Sequence, residues 1–317
     1  MDPLLQHYYA PLENLLSRPD LMEVSVVGDR RIFCEYAGSG YGEEEYHKDF
    51  TLSYWRRLCT ALANYNGLNF SPPNHCFLSL ALPGGHRFQA KMGQGIESGV
   101  DISIRLFRDI EVPLESFGLW GDIKDEVIGL VEEGVNCVIS GGTSSGKTTF
   151  LRQLLKYIPQ KKRIITIEDT REVFLPAHPQ VQHHTVPRNG SNEAQKKAYT
   201  DEIDHMMRSR PDIIILGEVS TSNSFPVVRF LNTGHAGFFT TVHANTADLA
   251  LSTAIPQNIS MNGQNSEGIE TVLRATVGMV IQLNKHNGKR SVTEILFPKE
   301  GRTITDFSNQ AILTAAA

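Results

Sequence analysis

The sequence predicts an α/β protein in two parts: a C-terminal phosphate-loop domain built on a mostly parallel sheet, preceded by a smaller α+β domain whose sheet is mostly antiparallel. Three observations carry this. From residue 121 onward, helical stretches alternate with short apolar strands, the signature of a parallel sheet covered by helices. Before residue 112 the strands are short and joined by tight turns, with helices kept apart from them. Between these regimes the apolar run Cys137-Val138-Ile139-Ser140 enters Gly141-Gly142-Thr143-Ser144-Ser145-Gly146-Lys147-Thr148-Thr149, a strand leading through a glycine-rich turn into a helix.

In order, Pro11 to Leu16 has apolar residues at helical spacing and ends at Ser17-Arg18-Pro19-Asp20. Glu23–Val27 and Arg31–Tyr36 alternate on either side of Gly28-Asp29-Arg30 and predict a hairpin. Ala37 to Glu45, rich in glycine and glutamate, reads as an exposed loop. Leu52 to Tyr65 carries the stripe Leu52, Trp55, Leu58, Cys59, Leu62 and Ala63 of an amphipathic helix, closed by Asn66-Gly67. Short strands follow at Phe77–Leu82, His86–Ala90 and Asp101–Leu106. The charged, proline-bearing segment Arg108–Pro113 marks a boundary near Ser116, giving an N-terminal domain over 1–112, a linker over 113–120 and the phosphate-loop domain over 121–317. There, Ile123–Val131 reads as a helix. Arg163–Ile167, Asp212–Leu216 and Phe238–Val242 read as buried strands. Glu193–Ser209, Ser224–Asn232 and Ala247–Ala254 read as helices, and Met279–Leu283 and Val292–Leu296 as two late strands. Ala311 to Ala317 carries no signal.

The composition, 40% hydrophobic and 21% charged, is that of a soluble globular chain of 317 residues, and no apolar run has the length of a bilayer span. The start lacks the basic region of a signal peptide, so a cytoplasmic location is expected. Cys34, Cys59, Cys76 and Cys137 are too dispersed for a zinc or redox pair, and His183 and His184, adjacent on a strand, point to opposite faces. The net charge of −5 leaves direct nucleic-acid binding unsupported.

The glycine-rich turn is a phosphate cradle. Gly141, Gly142 and Gly146 let the loop turn sharply, so that backbone N–H groups from Gly141 to Thr149 and the positive end of the next helix converge on one anion. Lys147 adds charge at the β/γ-phosphates, and Thr148 supplies a hydroxyl to magnesium. ATP with Mg2+ is the expected ligand pair, although the loop alone does not separate an ATPase from a GTPase or a small-molecule kinase. Three further stretches bear on that. Thr166-Ile167-Glu168-Asp169-Thr170-Arg171-Glu172 emits carboxylates at the C-terminal end of a strand, placed for metal ligation through water and for positioning water; a solvated helix cap is the plainer alternative. Asp212-Ile213-Ile214-Ile215-Leu216-Gly217-Glu218 is an apolar strand ending where such proteins polarise the attacking water, with Gly217 in place of the aspartate many NTPases carry. Thr233 to Asn245 brackets a strand between His235 and His243, imidazoles that could report a γ-phosphate by hydrogen bonding.

These four motifs, in this order and spacing, resemble the secretion ATPase superfamily of type II secretion, type IV pili and type IV secretion. Within it the chain is similar to the VirB-type traffic ATPases: it lacks the tetracysteine module of the pilus and type II branch, and Leu82-Pro83-Gly84-Gly85-His86-Arg87, Ile102-Ser103-Ile104-Arg105 and the Glu23 to Glu35 hairpin match that branch. The resemblance implies a RecA-like second domain and a homohexameric ring. It also implies ATP hydrolysis coupled to protein or DNA transport, or to pilus assembly, by a type IV secretion or conjugation machine. Docking on inner-membrane components, with peripheral membrane association, would follow. Glu218, Glu172, Lys147, His243 and Arg210 become the catalytic set; Arg87, Arg105 and His235 join the loop in binding nucleotide; and Thr148 takes Mg2+, with Glu218 and Glu172 reaching it through water. The family usually has an arginine two residues after the glutamate and a second glutamate further on. This chain has Ser220 and Asn223. Their joint absence suits either a dispensable ion pair or weakened coupling. The alternatives are a pilus retraction or assembly ATPase and a nucleotide-gated scaffold with little turnover; a small-molecule kinase would need an acceptor site and a lid, which the sequence does not offer.

Overall fold

The computed structural model describes residues 3–39, 41–72, 74–108, 111–186, 192–305 and 307, which divide into two compact units meeting in sequence between residues 108 and 111. The first holds α1 (Pro3–Leu16), β1 (Leu21–Gly28), β2 (Arg31–Tyr36), β3 (Glu43–Tyr46), α2 (Leu52–Tyr65), β4 (Phe77–Ala81), β5 (Arg87–Met92) and β6 (Val100–Arg105). Its strands form one antiparallel sheet in the order β3-β2-β1-β6-β5-β4. Alternation on β5 and β6 turns Phe88, Ala90, Ile102 and Ile104 inward. Leu5, Tyr9, Leu12 and Leu16 of α1 and Trp55, Leu58 and Leu62 of α2 recur every three or four residues, as one buried helical face requires, and join the same core. Thr51 starts α2 by accepting a hydrogen bond from the Tyr54 amide. The segment read as an exposed loop contains β3: Glu43–Tyr46 pairs with β2, and two of its three glutamates are held by arginine, Glu45 by Arg18 and Glu44 by Arg31. Its glutamates, part of the signal for a loop, find arginine partners distant in sequence at Glu44 and Glu45.

The second unit holds α3 (Gly121–Glu133), β7 (Cys137–Gly141), α4 (Lys147–Leu155), β8 (Ile164–Glu168), β9 (Val181–Thr185), α5 (Asn192–Arg208), β10 (Ile213–Leu216), α6 (Ser224–Leu231), β11 (Phe238–Val242), α7 (Ala247–Leu249), α8 (Ile255–Met261), α9 (Ile269–Thr276), β12 (Met279–His286), β13 (Lys289–Phe297) and β14 (Arg302–Ile304). Its sheet runs β14-β13-β12-β7-β11-β10-β8-β9, parallel from β12 to β9 with β13 and β14 antiparallel. Every residue of β7, β8, β10 and β11 is buried, because separate apolar clusters cover the two faces.

Two expectations change here. The stretch read as a linker is packed into this unit: Leu114, Phe117 and Leu119 are buried beside Phe150, and Phe117 meets its ring edge-on at 5.1 Å. The helix read over Ala247–Ala254 is interrupted by a π-helical turn at Ala250–Ala254 and resumes to Met261. Pro256 lacks the N–H that a regular turn would use there. Asp109, Ile110 and Ala311 to Ala317 lie outside the described residues. Also among those described, no group of three or more His, Cys, Asp or Glu side chains is placed to hold a metal, and no helix is long and apolar enough to cross a membrane.

Candidate nucleotide site

Strand direction decides what can meet. In the parallel part of the sheet, residues just after β7, β11, β10 and β8 share the C-terminal edge, and residues just before them share the opposite one. The loop after β7 therefore shares its edge with His243, Glu218 and Glu168.

The loop is shaped for a small anion. Ser144 and Gly146 take left-handed conformations, φ 58° and 92°. A Cβ at Gly146 would stand 2.9 Å from Arg290 Cδ and 3.2 Å from the Phe117 ring; at Gly141 it would stand 2.5 Å from both the Leu283 carbonyl oxygen and Ser145 Oγ. Only glycine fits at either position. Ser145 Oγ is buried without a hydrogen-bond partner, and Gly146 precedes α4 without a side-chain cap, so the helix's first N–H groups point into the loop. Such a cradle fits a phosphate group, with Thr148 on the first turn of α4. Arg290 escaped the sequence reading: its Nε donates to the Ser144 carbonyl at 3.1 Å. The signal was absent because the two residues are 146 positions apart.

Lys147 is 8% exposed, and its Nζ donates to the Gly141 and Gly142 carbonyls at 3.0 and 2.9 Å. It also lies 3.2 Å from His243 Nδ1. An ammonium has only donors, so Nδ1 accepts and the ring proton sits on Nε2, which lies 2.9 Å from Glu218 Oε1. Lysine, imidazole and carboxylate thus form one directed chain. Gln282, fully buried on β12, donates to the Ala244 carbonyl at 3.2 Å and steadies the turn carrying His243. Thr241 Oγ1 donates to the Gly217 carbonyl at 2.8 Å.

Glu168 occupies the same edge beyond β10. It is 4% exposed; Oε1 accepts from the Glu172 and Val173 amides at 2.9 and 3.0 Å, while Oε2 has no partner. Burial pushes its carboxyl up to about 8, against the two amide hydrogen bonds, with the neighbouring Glu172 and Asp169 charges adding to the rise. Gly217 lies beside it, and a Cβ there would be 3.4 Å from Glu168 Cγ. An aspartate at 217 would press a second carboxylate against a buried one, which gives the absence of that residue a local reason.

Two expected site residues are not brought to the loop within this chain. His235 precedes β11 and Arg210 precedes β10, so both occupy the opposite edge, separated from the phosphate loop by the strand length, about 17 Å for five residues. The His235 carbonyl accepts from Asn136 Nδ2 at the foot of β7, at 3.3 Å, and its ring packs 5.1 Å from Phe230. Arg210 takes φ 50° just before Pro211. A strand's two ends are neighbours in sequence and far apart in space, which a motif bracketing a strand conceals. In the first unit, Arg87 and Arg105 are directly opposite each other on β5 and β6, with Glu23 opposite Arg105 on the other side.

Comparison with known proteins gives the family. The family described as "Type II/IV secretion system protein" matches residues 89–304. The type IV secretion system protein VirB11 of Brucella suis biovar 1 (strain 1330) is 28% identical over 311 residues, covering 88% of this chain and 84% of that protein. The type IV secretion system protein PtlH of Bordetella pertussis (strain Tohama I / ATCC BAA-589 / NCTC 13251) is 29% identical, covering 74% and 76%. Among solved structures, the pilus retraction motor PilT with bound ADP aligns over 93% of this chain and 83% of its own at a TM-score of 0.62 and 21% identity, a likeness of fold.

Proposed function

Because the chain belongs to the type II/IV secretion system protein family, we propose that it is the ATPase that powers a type IV secretion machine, hydrolysing ATP at the edge where Lys147, His243 and Glu218 meet. That three-residue chain is the observation that carries the reading. One end contacts the phosphate loop; the other ends in a carboxylate, 41% exposed and able to orient water. Relatives named as type IV secretion proteins along most of this chain's length support the transport role.

In this reading the loop amides from Gly141 to Thr149 and Lys147 hold the β- and γ-phosphates, whose oxygens compete with the Gly141 and Gly142 carbonyls for Nζ. Thr148 and, through water, Glu218 and Glu172 would hold Mg2+, which would supply positive charge beside the phosphates. Glu218 orients the attacking water, and His243, donating from Nε2, fixes its carboxylate. The resemblance would add Arg87 and Arg105, opposite each other on β5 and β6, as further positive charge. Arg210 and His235, on the far edge, serve the nucleotide only from a neighbouring copy in a homohexamer. The ring works in the cytoplasm, docked peripherally on inner-membrane components of the machine.

The test is ATP hydrolysis by wild type, Glu218→Gln and Lys147→Ala, with the mass of each assembly recorded with and without nucleotide. Glu218→Gln keeps shape and ATP binding and loses turnover; Lys147→Ala loses binding. Equal turnover in all three proteins would refute the reading.

A further inference from the structure

We infer that Asn223 is the positioning residue for the Glu218 carboxylate, a neutral backbone clamp standing where the resemblance leads one to expect half of an ion pair. The inference rests on Glu218 being the carboxylate that orients water. Read as sequence, Ser220 and Asn223 are two missing charges. The fold gives Asn223 a task of its own.

Asn223 is fully buried at the start of α6, yet its side chain does not cap that helix. It turns back instead: Nδ2 donates to the Glu218 carbonyl at 2.9 Å and Oδ1 accepts from the Ser220 amide at 2.9 Å. The orientation is unambiguous, since the opposite one would set donor against donor and acceptor against acceptor. Upstream, the sheet holds the segment without help, because the Gly217 amide donates to the Ile167 carbonyl at 3.0 Å and the Val219 amide to the Thr241 carbonyl at 2.8 Å. At Glu218 and Ser220 the strand pairing has ended. Asn223 satisfies one group on each residue, and the Ser224 amide takes the Ser220 carbonyl at 3.0 Å. The clamp thereby fixes the backbone from which Glu218 reaches His243 Nε2.

The chemistry of the position selects an amide. A glutamate in this buried place needs an arginine nearby to balance its charge, and Ser220 cannot provide one. Aspartate has the shape of asparagine but only acceptors: it could hold the Ser220 amide, would face the Glu218 carbonyl without a donor, and would set a second negative charge beside Glu218. The clamp's two hydrogen bonds end on Glu218 and Ser220, while those of Lys147 described above go to its own loop and His243, so loss of the clamp is felt in turnover and not in nucleotide binding.

The experiment compares wild type with Asn223→Ala, Asn223→Asp, Asn223→Glu, the pair Ser220→Arg/Asn223→Glu, Glu218→Gln and the pair Glu218→Gln/Asn223→Ala, measuring kcat, KM and the ATP Kd of the full chain. Displacing a catalytic group by about 1 Å costs on the order of 100-fold, so Asn223→Ala and Asn223→Asp should lower kcat by about tenfold or more. KM and Kd should stay within roughly threefold. Adding Asn223→Ala to Glu218→Gln should change the residual rate no further, because the clamp acts only through that carboxylate. Ser220→Arg should restore much of the rate lost in Asn223→Glu. Where the alanine variant fails to fold, the near-isosteric aspartate variant carries the test. Wild-type kcat in Asn223→Asp overturns the inference; so does a rate loss that persists in the Glu218→Gln background, or one matched by equal loss of ATP affinity. Equal turnover by wild type and Glu218→Gln would instead remove Glu218 from catalysis, and the inference with it, while an inactive Glu218→Gln beside a fully active Asn223→Asp would remove the clamp alone.

Discussion

Glu168→Gln should make the protein more stable in alkaline solution and leave it nearly unchanged in acid. The Glu168 carboxyl is 4% exposed, and burial moves its pKa from the usual 4.5 to about 8. Each pKa unit corresponds to about 1.4 kcal/mol, so ionising this group in the folded chain costs on the order of 3 to 5 kcal/mol. The sign follows from proton counting. Between pH 4.5 and 8 the folded state holds the proton that the unfolded state has released, so stability is greatest below that window, falls as pH rises through it, and is level above it. An uncharged glutamine keeps the acceptor for the Glu172 and Val173 amides and leaves a buried donor where the protonated acid also has one.

Melting temperatures of wild type and Glu168→Gln at pH 5 and pH 8.5, in buffer without magnesium or nucleotide, check this. In a chain of this size 1 kcal/mol moves the midpoint by roughly 2 °C, so the variant should gain about 5 °C or more on wild type at the higher pH and be within about 2 °C at the lower. Parallel curves, with the same difference between the proteins at both pH values, would refute the reasoning, because they would mean that the carboxyl ionises in the fold as readily as in the unfolded chain.

Gly141→Ala should abolish nucleotide binding, since its methyl would meet the Leu283 carbonyl oxygen and Ser145 Oγ at 2.5 Å and neither the strand nor the turn can withdraw; calorimetric titration with ATP reads this directly. Asn136→Ala should destabilise the second unit by about 2 to 4 kcal/mol, because it leaves buried backbone groups unpaired. Asn136 accepts from the Phe238 amide at 2.9 Å and donates to the His235 and Thr276 carbonyls at 3.3 and 3.0 Å. Urea unfolding checks it, and an unchanged midpoint would contradict it.

What the sequence showed and what it hid have a common physical origin. Buried parallel strands are uniformly apolar, so β7, β8, β10 and β11 stood out within a residue or so of their ends, and the phosphate loop was legible because strand, turn and helix follow one another without a break. Partners brought in by the sheet were not legible. Arg290 reaches Ser144 from the far end of the chain, and Gln282 holds the His243 turn from β12. The edge strand Glu43–Tyr46 needed Arg18 and Arg31 before its charges could be read as anything but a loop. That Arg210 and His235 stand away from the loop of their own chain was hidden for a different reason. Each sits beside a strand that does lead to the site, but at its opposite end, and sequence distance does not distinguish the two.

The order of strands explains why an imidazole lies at the centre of this site. The phosphate loop leaves β7 and Glu218 follows β10, and β11 lies between them. With strands about 4.8 Å apart, the ends of β7 and β10 are separated by roughly 10 Å. Lys147 turns back onto its own loop, so it does not close that distance. A residue at the end of β11 stands midway, and there a side chain with an acceptor on one side and a donor on the other joins lysine to glutamate, as His243 does at 3.2 and 2.9 Å. Serine is too short for both contacts, and lysine has no acceptor for the first. Any movement of Nζ toward a phosphate therefore alters the partner of Nδ1, and through the ring the hydrogen bond that holds Glu218. The clamp on the glutamate's backbone gives that adjustment a fixed point, so the carboxylate turns about its own side chain while Glu218 and Ser220 stay in place.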